Sequence, residues 1–231
     1  MNSIEFNNIS AILLDLDGTL INSEKAFCDT FIEVFKNKYN IDVTFDEYKK
    51  YELEQNAKLI NQKKIDNPSI KNVSDQEIME NVYDQYFTHF KKIVREAEAV
   101  DNFNIIKKLK KLKLKIALVT TCRRLYIEEL IKANELEGVF DYIVSRDDVK
   151  HDELKPNPKA YYITLEVLNV SPNECIAIED SKRGIDAALS ANIPTIKVEN
   201  YTTIKFNDDR VEEYNSANEV LRKILKIKEN E

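Results

Sequence analysis

The four apolar residues Ala11-Ile12-Leu13-Leu14 run directly into two carboxylates, in Asp15-Leu16-Asp17-Gly18-Thr19. An apolar run with no polar alternation predicts a strand buried on both faces, as in a parallel sheet covered by helices, here over 11–16. Along an extended chain, residues two apart point the same way, so Asp15 and Asp17 can face one site while Leu16 points elsewhere. Gly18 lets the backbone turn where a side chain would clash. Two unit charges about 4 Å apart at an effective dielectric near 20 repel by about 4 kcal/mol. Such a pair asks for a cation, a shared proton or both. Taken alone, the pentapeptide also reads as a turn that closes a strand, with the Asp residues as caps. It is not a calcium loop: the further acidic positions and closing Glu of an EF-hand are missing, and Ser23 and Glu24 do not replace them.

The rest of the chain sets that strand in an alternating pattern. An amphipathic helix is predicted over 23–39, with Phe27, Phe31, Val34 and Phe35 on one face. Helical segments rich in polar and aromatic residues continue to about Glu98. They break at Asn67-Pro68 and restart at a capping box, Ser74-Asp75-Gln76-Glu77. Helices follow over 105–114, 124–134 (stopped by Gly138), 158–169, 183–191 and 218–227, and strands over 115–120, 142–145, 175–178 and 194–198. Alternation of this kind means right-handed crossovers and a mostly parallel sheet covered on both faces. The roughly 75 residues between the first strand and the second βα unit far exceed the usual connection of about 4–6 and must form an inserted helical subdomain.

Composition narrows the partners. The 231 residues suit one full domain and a small second one. A net charge of −7, from 34 basic and 41 acidic residues, disfavours nucleic acid while leaving room for a small phosphorylated partner. The most basic stretch, 107–115, carries Leu109 and Leu112 three apart and reads as a solvated helix face over a core stripe. Cys28, Cys122 and Cys175 are widely spaced and form no metal-ligand pattern, which suggests reduced thiols. No leader peptide or membrane-length apolar run is visible, so the expected setting is cytoplasmic.

Ligands of an open parallel sheet bind beyond the carboxyl ends of its strands, where four features gather. Asp15 and Asp17 are the first. Thr120-Thr121 closes the second strand ahead of a helix, where a hydroxyl and backbone N–H groups hold a phosphate or simply cap the helix. Lys155 stands in Lys155-Pro156-Asn157-Pro158, a loop stiffened by proline. Glu179-Asp180-Ser181 follows the strand at 175–178. Four acids at one edge are tenable chiefly around a divalent cation.

In these residues the chain resembles the haloacid dehalogenase superfamily of hydrolases with an inserted helical cap. Asp15-Leu16-Asp17-Gly18-Thr19 resembles the family's first motif, Leu118-Val119-Thr120-Thr121 its second, Lys155-Pro156-Asn157-Pro158 its third, and Ile178-Glu179-Asp180-Ser181 with Gly184 its fourth. Order and spacing agree across the core, and the cap carries no motif. The resemblance implies an α/β, Rossmann-like three-layer core made of 1–22 and 99–231. It implies a cap of 23–98 that closes over the site and selects the substrate. It also implies a magnesium-dependent phosphatase working through an aspartyl phosphate. Asp15 would attack phosphorus, and Asp17 would protonate the leaving oxygen and then deprotonate the attacking water. Thr120 and the Thr121 backbone would bind the phosphoryl oxygens, and Lys155 would neutralise them and steady Asp15. Asp15, Asp180 and the Asp17 carbonyl would ligate Mg2+, with Glu179 holding its waters. A metaphosphate-like transition state needs such charge neutralisation and in-line placement more than covalent chemistry. The implied partner is a small phosphorylated metabolite, with no nucleic acid and no membrane, and the chain a monomer or weak dimer.

Within the resemblance, Asp17 points to phosphoryl transfer, because dehalogenases of this fold lack a carboxylate there. A receiver domain also sets Asp, Thr and Lys around magnesium, but it is shorter and carries its phosphoacceptor on a later strand. A noncatalytic binding protein has no physical need for all of Asp15, Asp17, Thr120, Lys155 and Asp180. The alternative is a β-phosphoglucomutase-like phosphosugar mutase. Such mutases usually carry a His in the first cap helix, whereas Glu24-Lys25-Ala26-Phe27-Cys28 has none and His89 and His151 lie elsewhere. Two departures from the family pattern stand out. Ala99-Val100-Asp101-Asn102-Phe103 replaces the usual Pro-Gly lead and is expected to change only a turn, and His151-Asp152-Glu153-Leu154 lengthens the loop before Lys155. Arg123 and Arg124 are candidate substrate contacts. Lys58, Lys63, Lys64 and Arg95 are expected on solvated surface. Cys122, with no base in view, reads as structural or at most oxidation-sensitive.

Overall fold

The computed structural model describes residues 4–51, 56–199, 208 and 210–230. Among them, the residues up to Asn22 together with those from Val94 onward form one compact unit, and Ser23–Ile93 form another.

The first unit is built on a sheet of β1 (Ala11–Leu14), β2 (Lys115–Val119), β3 (Tyr142–Val144), β4 (Cys175–Glu179), β5 (Thr195–Val198) and β6 (Val211–Tyr214). Its order is β3-β2-β1-β4-β5-β6, and every pairing is parallel. The central strand β1 pairs Leu14 with Leu118 on one side and with Ile178 on the other. That register sets Asp15 level with Val119 and Glu179, and brings Thr120 and Asp180 one residue beyond, so three distant segments end at one edge. Every residue of β1 and β4 is buried, as expected for strands covered on both faces.

The helices of the inserted unit are α1 (Ser23–Tyr39), α2 (Phe45–Tyr51), α3 (Asn56–Asp66) and α4 (Asp75–Ile93); those of the first unit are α5 (Ala97–Lys111), α6 (Arg124–Asn134), α7 (Lys159–Leu168), α8 (Lys182–Ser190) and α9 (Ala217–Lys228). Alternate strand residues Ala11, Leu13, Ala117, Val119 and Ala177 pack with Ala160, Tyr161 and Leu165 of α7 and with Ala187 and Ala188 of α8. The many alanines let these helices lie close to the sheet. The intervening residues Ile12, Leu14, Ile116, Leu118, Ile176 and Ile178 are equally buried and face the opposite way. Fully burying each such side chain contributes roughly 1.5–3 kcal/mol.

Several boundaries differ from the sequence reading. β1 ends at Leu14 rather than at residue 16. Helix α5 begins at Ala97, eight residues early, so the segment that replaces Pro-Gly is helix and not a turn. Without Pro or Gly, nothing stops the helix there, and Ala99, Asn102, Phe103, Ile106 and Leu109 form its buried stripe. Helix α6 is closed by Glu135 at φ 53°, ahead of Gly138. Strand β6, Val-Glu-Glu-Tyr, was not expected: it is an edge strand with no fully buried residue, so it lacks the apolar run that marks the others.

In the inserted unit, Phe31 and Phe35 of α1 stack at 4.7 Å in a cluster with Ile60, Ile78 and Val82. At Ser74 the Oγ accepts from the Glu77 N–H at 3.0 Å and caps the start of α4, the side-chain half of the expected capping box. His89 Nδ1 meets Thr30 Oγ1 at 2.6 Å. Lys63 corrects the expectation of a solvated residue. It is buried, and its ammonium donates to the Asp42 carbonyl at 3.0 Å and to Glu47 Oε1 at 2.8 Å. Lys58 is exposed, and Lys64 pairs with Asp75.

Candidate active site

The backbone leaves β1 at Asp15, whose N–H donates to the Ile178 carbonyl at 3.0 Å, and turns back as the Gly18 N–H meets the Ile21 carbonyl at 2.9 Å. Gly18 holds φ 80°, and a Cβ there would fall 2.0 Å from Asp180 Oδ2. A Cβ at Gly184 would fall 1.9 Å from Glu179 Oε2. Each glycine leaves room for a carboxylate that any larger residue would displace.

Lys155 is the hub of the site. Its Nζ lies 2.7 Å from Asp15 Oδ1, 2.7 Å from the Val119 carbonyl and 2.6 Å from Glu179 Oε1. The Tyr161 hydroxyl donates to the same Glu179 oxygen. Glu179 Oε2 is buried with no partner among the described residues. Thr19 donates to Asp180 Oδ1 at 3.4 Å and hydrogen-bonds Asp15. Exposure is 7% for Asp15, 4% for Lys155, 0% for Glu179 and 7% for Asp180.

One oxygen from each of Asp15, Glu179 and Asp180 lies within 4.8 Å of the others. Three buried carboxylates therefore share one ammonium. Burial raises the affinity of all three for protons, and the neighbouring carboxylates add to it at Glu179 and Asp180; Lys155 opposes it at all three, with hydrogen bonds from Thr19 at Asp15 and from Tyr161 at Glu179. Glu179 is pushed up to about 7. Lys155, by contrast, is held more firmly charged: burial opposes its charge, but Asp15 and Glu179 outweigh that. A close set of buried carboxylates, an orphaned carboxylate oxygen and an excess of negative charge fit a hard divalent cation.

The other expected residues fall into two groups. Asp17 is half-buried, and its carboxylate hydrogen-bonds the Cys122 thiol, outside the three-oxygen cluster. Thr120 is buried at the site edge, and its Oγ accepts from the Cys122 N–H at 3.0 Å. Thr121 is exposed. Neither threonine caps α6, whose N-cap is Arg123. Arg123 is exposed at the helix start. Arg124 is turned to Asp147 and Asp148: its N–H meets Asp147 Oδ2 at 2.7 Å and its guanidinium pairs with Asp148. Arg95 pairs with Glu129 at 2.9 Å. The lengthened loop forms a short turn at His151–Glu153 and still delivers Lys155 to Asp15. Burial pushes the Cys122 thiol well up, with Asp17 and Asp15 adding to it, so it is no thiolate nucleophile.

Sequence reasoning missed Thr19, Tyr161 and Arg183, whose Nε donates to the Lys155 carbonyl at 2.8 Å. Thr19 was visible inside the first motif. Tyr161 falls inside the helix expected over 158–169, and nothing in its spacing signals a buried hydroxyl.

Fold and site define an enzyme core of the α/β class whose acids gather at the carboxyl edge of a parallel sheet. The profile of haloacid dehalogenase-like hydrolases matches residues 12–198, and the chain belongs to that family. It is 31% identical over 191 residues to the pyrophosphatase PpaX of Bacillus mycoides strain KBAB4, covering 82% of this chain and 83% of the relative. Among solved structures, a family IA, variant 3 hydrolase of Entamoeba histolytica superposes with a TM-score of 0.73 at 24% identity, covering 96% of this chain and 100% of the other. CbbY of Rhodobacter sphaeroides in complex with phosphate gives 0.70 at 22%, covering 92% and 96%. The β-phosphoglucomutase of Clostridium difficile gives 0.65 at 21%, covering 96% and 98%. These structural likenesses establish the shared fold. No helix among the described residues is long and apolar enough to cross a membrane.

Proposed function

We propose that this hydrolase is a magnesium-dependent phosphatase that cleaves a small phosphorylated metabolite through an aspartyl phosphate at Asp15. The observation that carries the reading is the buried cluster of Asp15, Glu179 and Asp180, with oxygens within 4.8 Å and the Lys155 ammonium paired with Asp15 and Glu179. Asp15, Asp180 and the Asp17 carbonyl would hold Mg2+ and Glu179 its waters; the bound ion supplies charge neutralisation for the phosphoryl group. The chain's own residues do the rest. Lys155 and Thr19 orient Asp15, so that a carboxylate oxygen forms the bond to phosphorus as the bond to the leaving oxygen breaks. Asp17, steadied by the Cys122 thiol, gives its proton to that leaving oxygen. It then takes one from the water that displaces Asp15 from phosphorus. Thr120 and the Thr121 backbone complete the phosphoryl cradle. The inserted helical segment, 23–98 in the family pattern, serves as the cap that selects the substrate. Three free buried thiols agree with a cytoplasmic setting.

The likeness to PpaX makes inorganic pyrophosphate the first substrate to try, ahead of sugar phosphates, phosphoglycolate and nucleotides. Phosphate release should be measured over that panel with Mg2+ and with EDTA, beside Asp15→Asn. Release that needs metal and is lost in the variant supports the reading. Conversion of β-glucose 1-phosphate without release of phosphate would replace it with the mutase, and inertness towards every compound would remove both.

A further inference from the structure

A lysine ammonium has three N–H donors and no more, and all three of Lys155 are spent: on Asp15, on the Val119 carbonyl and on Glu179. A phosphoryl oxygen brought beside Asp15 gains a hydrogen bond from Lys155 only if one of these partners gives its own up. The bond to Asp15 orients the nucleophile, and the Val119 carbonyl is fixed at the end of β2, where it cannot turn to another donor. Glu179 differs. Its Oε1 already accepts a second hydrogen bond, from the Tyr161 hydroxyl, so it can release Lys155 without leaving that buried oxygen unpaired.

We propose that Tyr161 is a positioning residue that lets Lys155 exchange Glu179 for the phosphoryl group. The proposal rests on the phosphatase reading above and assigns to the site a residue outside its four motifs. Three features of the placement support it. Tyr161 is fully buried. It sits on α7 with its ring 5.6 Å from the Lys155 ammonium. Its hydroxyl meets the one Glu179 oxygen that Lys155 also holds. Without that hydroxyl, turning Lys155 toward phosphate would strip Glu179 Oε1 of every donor it has here, and a buried charged acceptor left unpaired is costly. Lys155 would then stay on Glu179.

Tyr161→Phe removes the hydroxyl and keeps the ring. The probe is inorganic phosphate, titrated by calorimetry in saturating Mg2+, with steady-state kinetics on the best substrate of the panel. The expected result is phosphate affinity weakened about tenfold and kcat/KM reduced to a similar degree, with thermal stability close to wild type. The same substitution in a Glu179→Gln background should cost less than about twofold, because the tyrosine acts through that carboxylate. Phosphate affinity within about twofold of wild type in Tyr161→Phe, or an equal loss in both backgrounds, would overturn the exchange and leave Tyr161 a packing residue. A wild-type protein that neither binds phosphate nor releases it would sink the phosphatase reading itself. Intact wild-type behaviour beside an unaffected variant sinks only the role of Tyr161.

Discussion

In the inserted unit, the buried ammonium of Lys63 meets one carboxylate, Glu47, that is 45% exposed and so is partly solvated already. At the edge of the sheet, the buried ammonium of Lys155 meets two carboxylates exposed by no more than 10%, with a third, Asp180, beside them. The first arrangement is balanced and close to water. The second sets three buried carboxyl groups against the one ammonium paired with them among the described residues, and their full ionisation would leave negative charge over. A fold keeps such an imbalance at a price in stability, and the natural relief is a cation that the protein itself does not supply. The contrast separates a balanced ion pair from a cluster with carboxyl groups to spare, without appeal to sequence motifs.

The largest effect should come from Asp15→Asn, which removes the proposed nucleophile: phosphate release should fall at least about a thousandfold. In EDTA the same variant should melt higher than wild type, since it removes one charge from an overcharged cluster; a lower melting temperature would show that the cluster is balanced as it stands. Lys155→Met comes next. It strands buried carboxylates and should cost about 3–5 kcal/mol in urea unfolding. Lys63→Met, its counterpart in the inserted unit, should cost no more than about 1 kcal/mol, because Glu47 returns to water. Equal losses in the two variants would break the comparison.

The pH dependence of the metal-free protein sharpens it further. Burial and the neighbouring Asp15 push Glu179 from its ordinary 4.5 up to about 7, so the folded state binds that proton more tightly than the unfolded chain. The contribution of this group to stability is present below the ordinary carboxylate value and is lost as pH rises through about 7. Melting temperatures in EDTA should show this slope, and Glu179→Gln should flatten it. The smallest effect is expected at Arg124. Its pair with Asp148 is 41% and 34% exposed, and Arg124→Ala should change stability by under about 1 kcal/mol. KM should stay within about twofold, because the guanidinium is turned to Asp148; a large rise in KM would return it to the substrate.

How much of this was legible depended on how local each signal was. β1, β2 and β4 each hold a run of four apolar residues, and α1 and α6 carry clear stripes, so both their place and their type could be read. The acids at the strand ends were readable for the same reason, since each follows directly on such a run. β6 lies at an edge and buries no residue fully, so it left no apolar pattern. The start of α5 was hidden because Asp101 and Asn102 read as a turn, whereas Asn102 is buried and donates to the Leu20 carbonyl at 3.0 Å. The role of Tyr161 depends on three segments meeting: β1 with Asp15, the loop with Lys155, and β4 with Glu179. No spacing along the chain encodes that meeting.

The most direct test of the excess charge is a calorimetric titration of metal-free protein with Mg2+, in wild type and in Asp180→Asn, with the melting temperature followed in parallel. Binding of one ion to the wild type is expected, with a gain in stability of about 2.7 kcal/mol at a hundred times Kd and little of either in Asp180→Asn. No heat and no rise in melting temperature in the wild type, or equal binding by the variant, would contradict the assignment of this edge as a metal-dependent site.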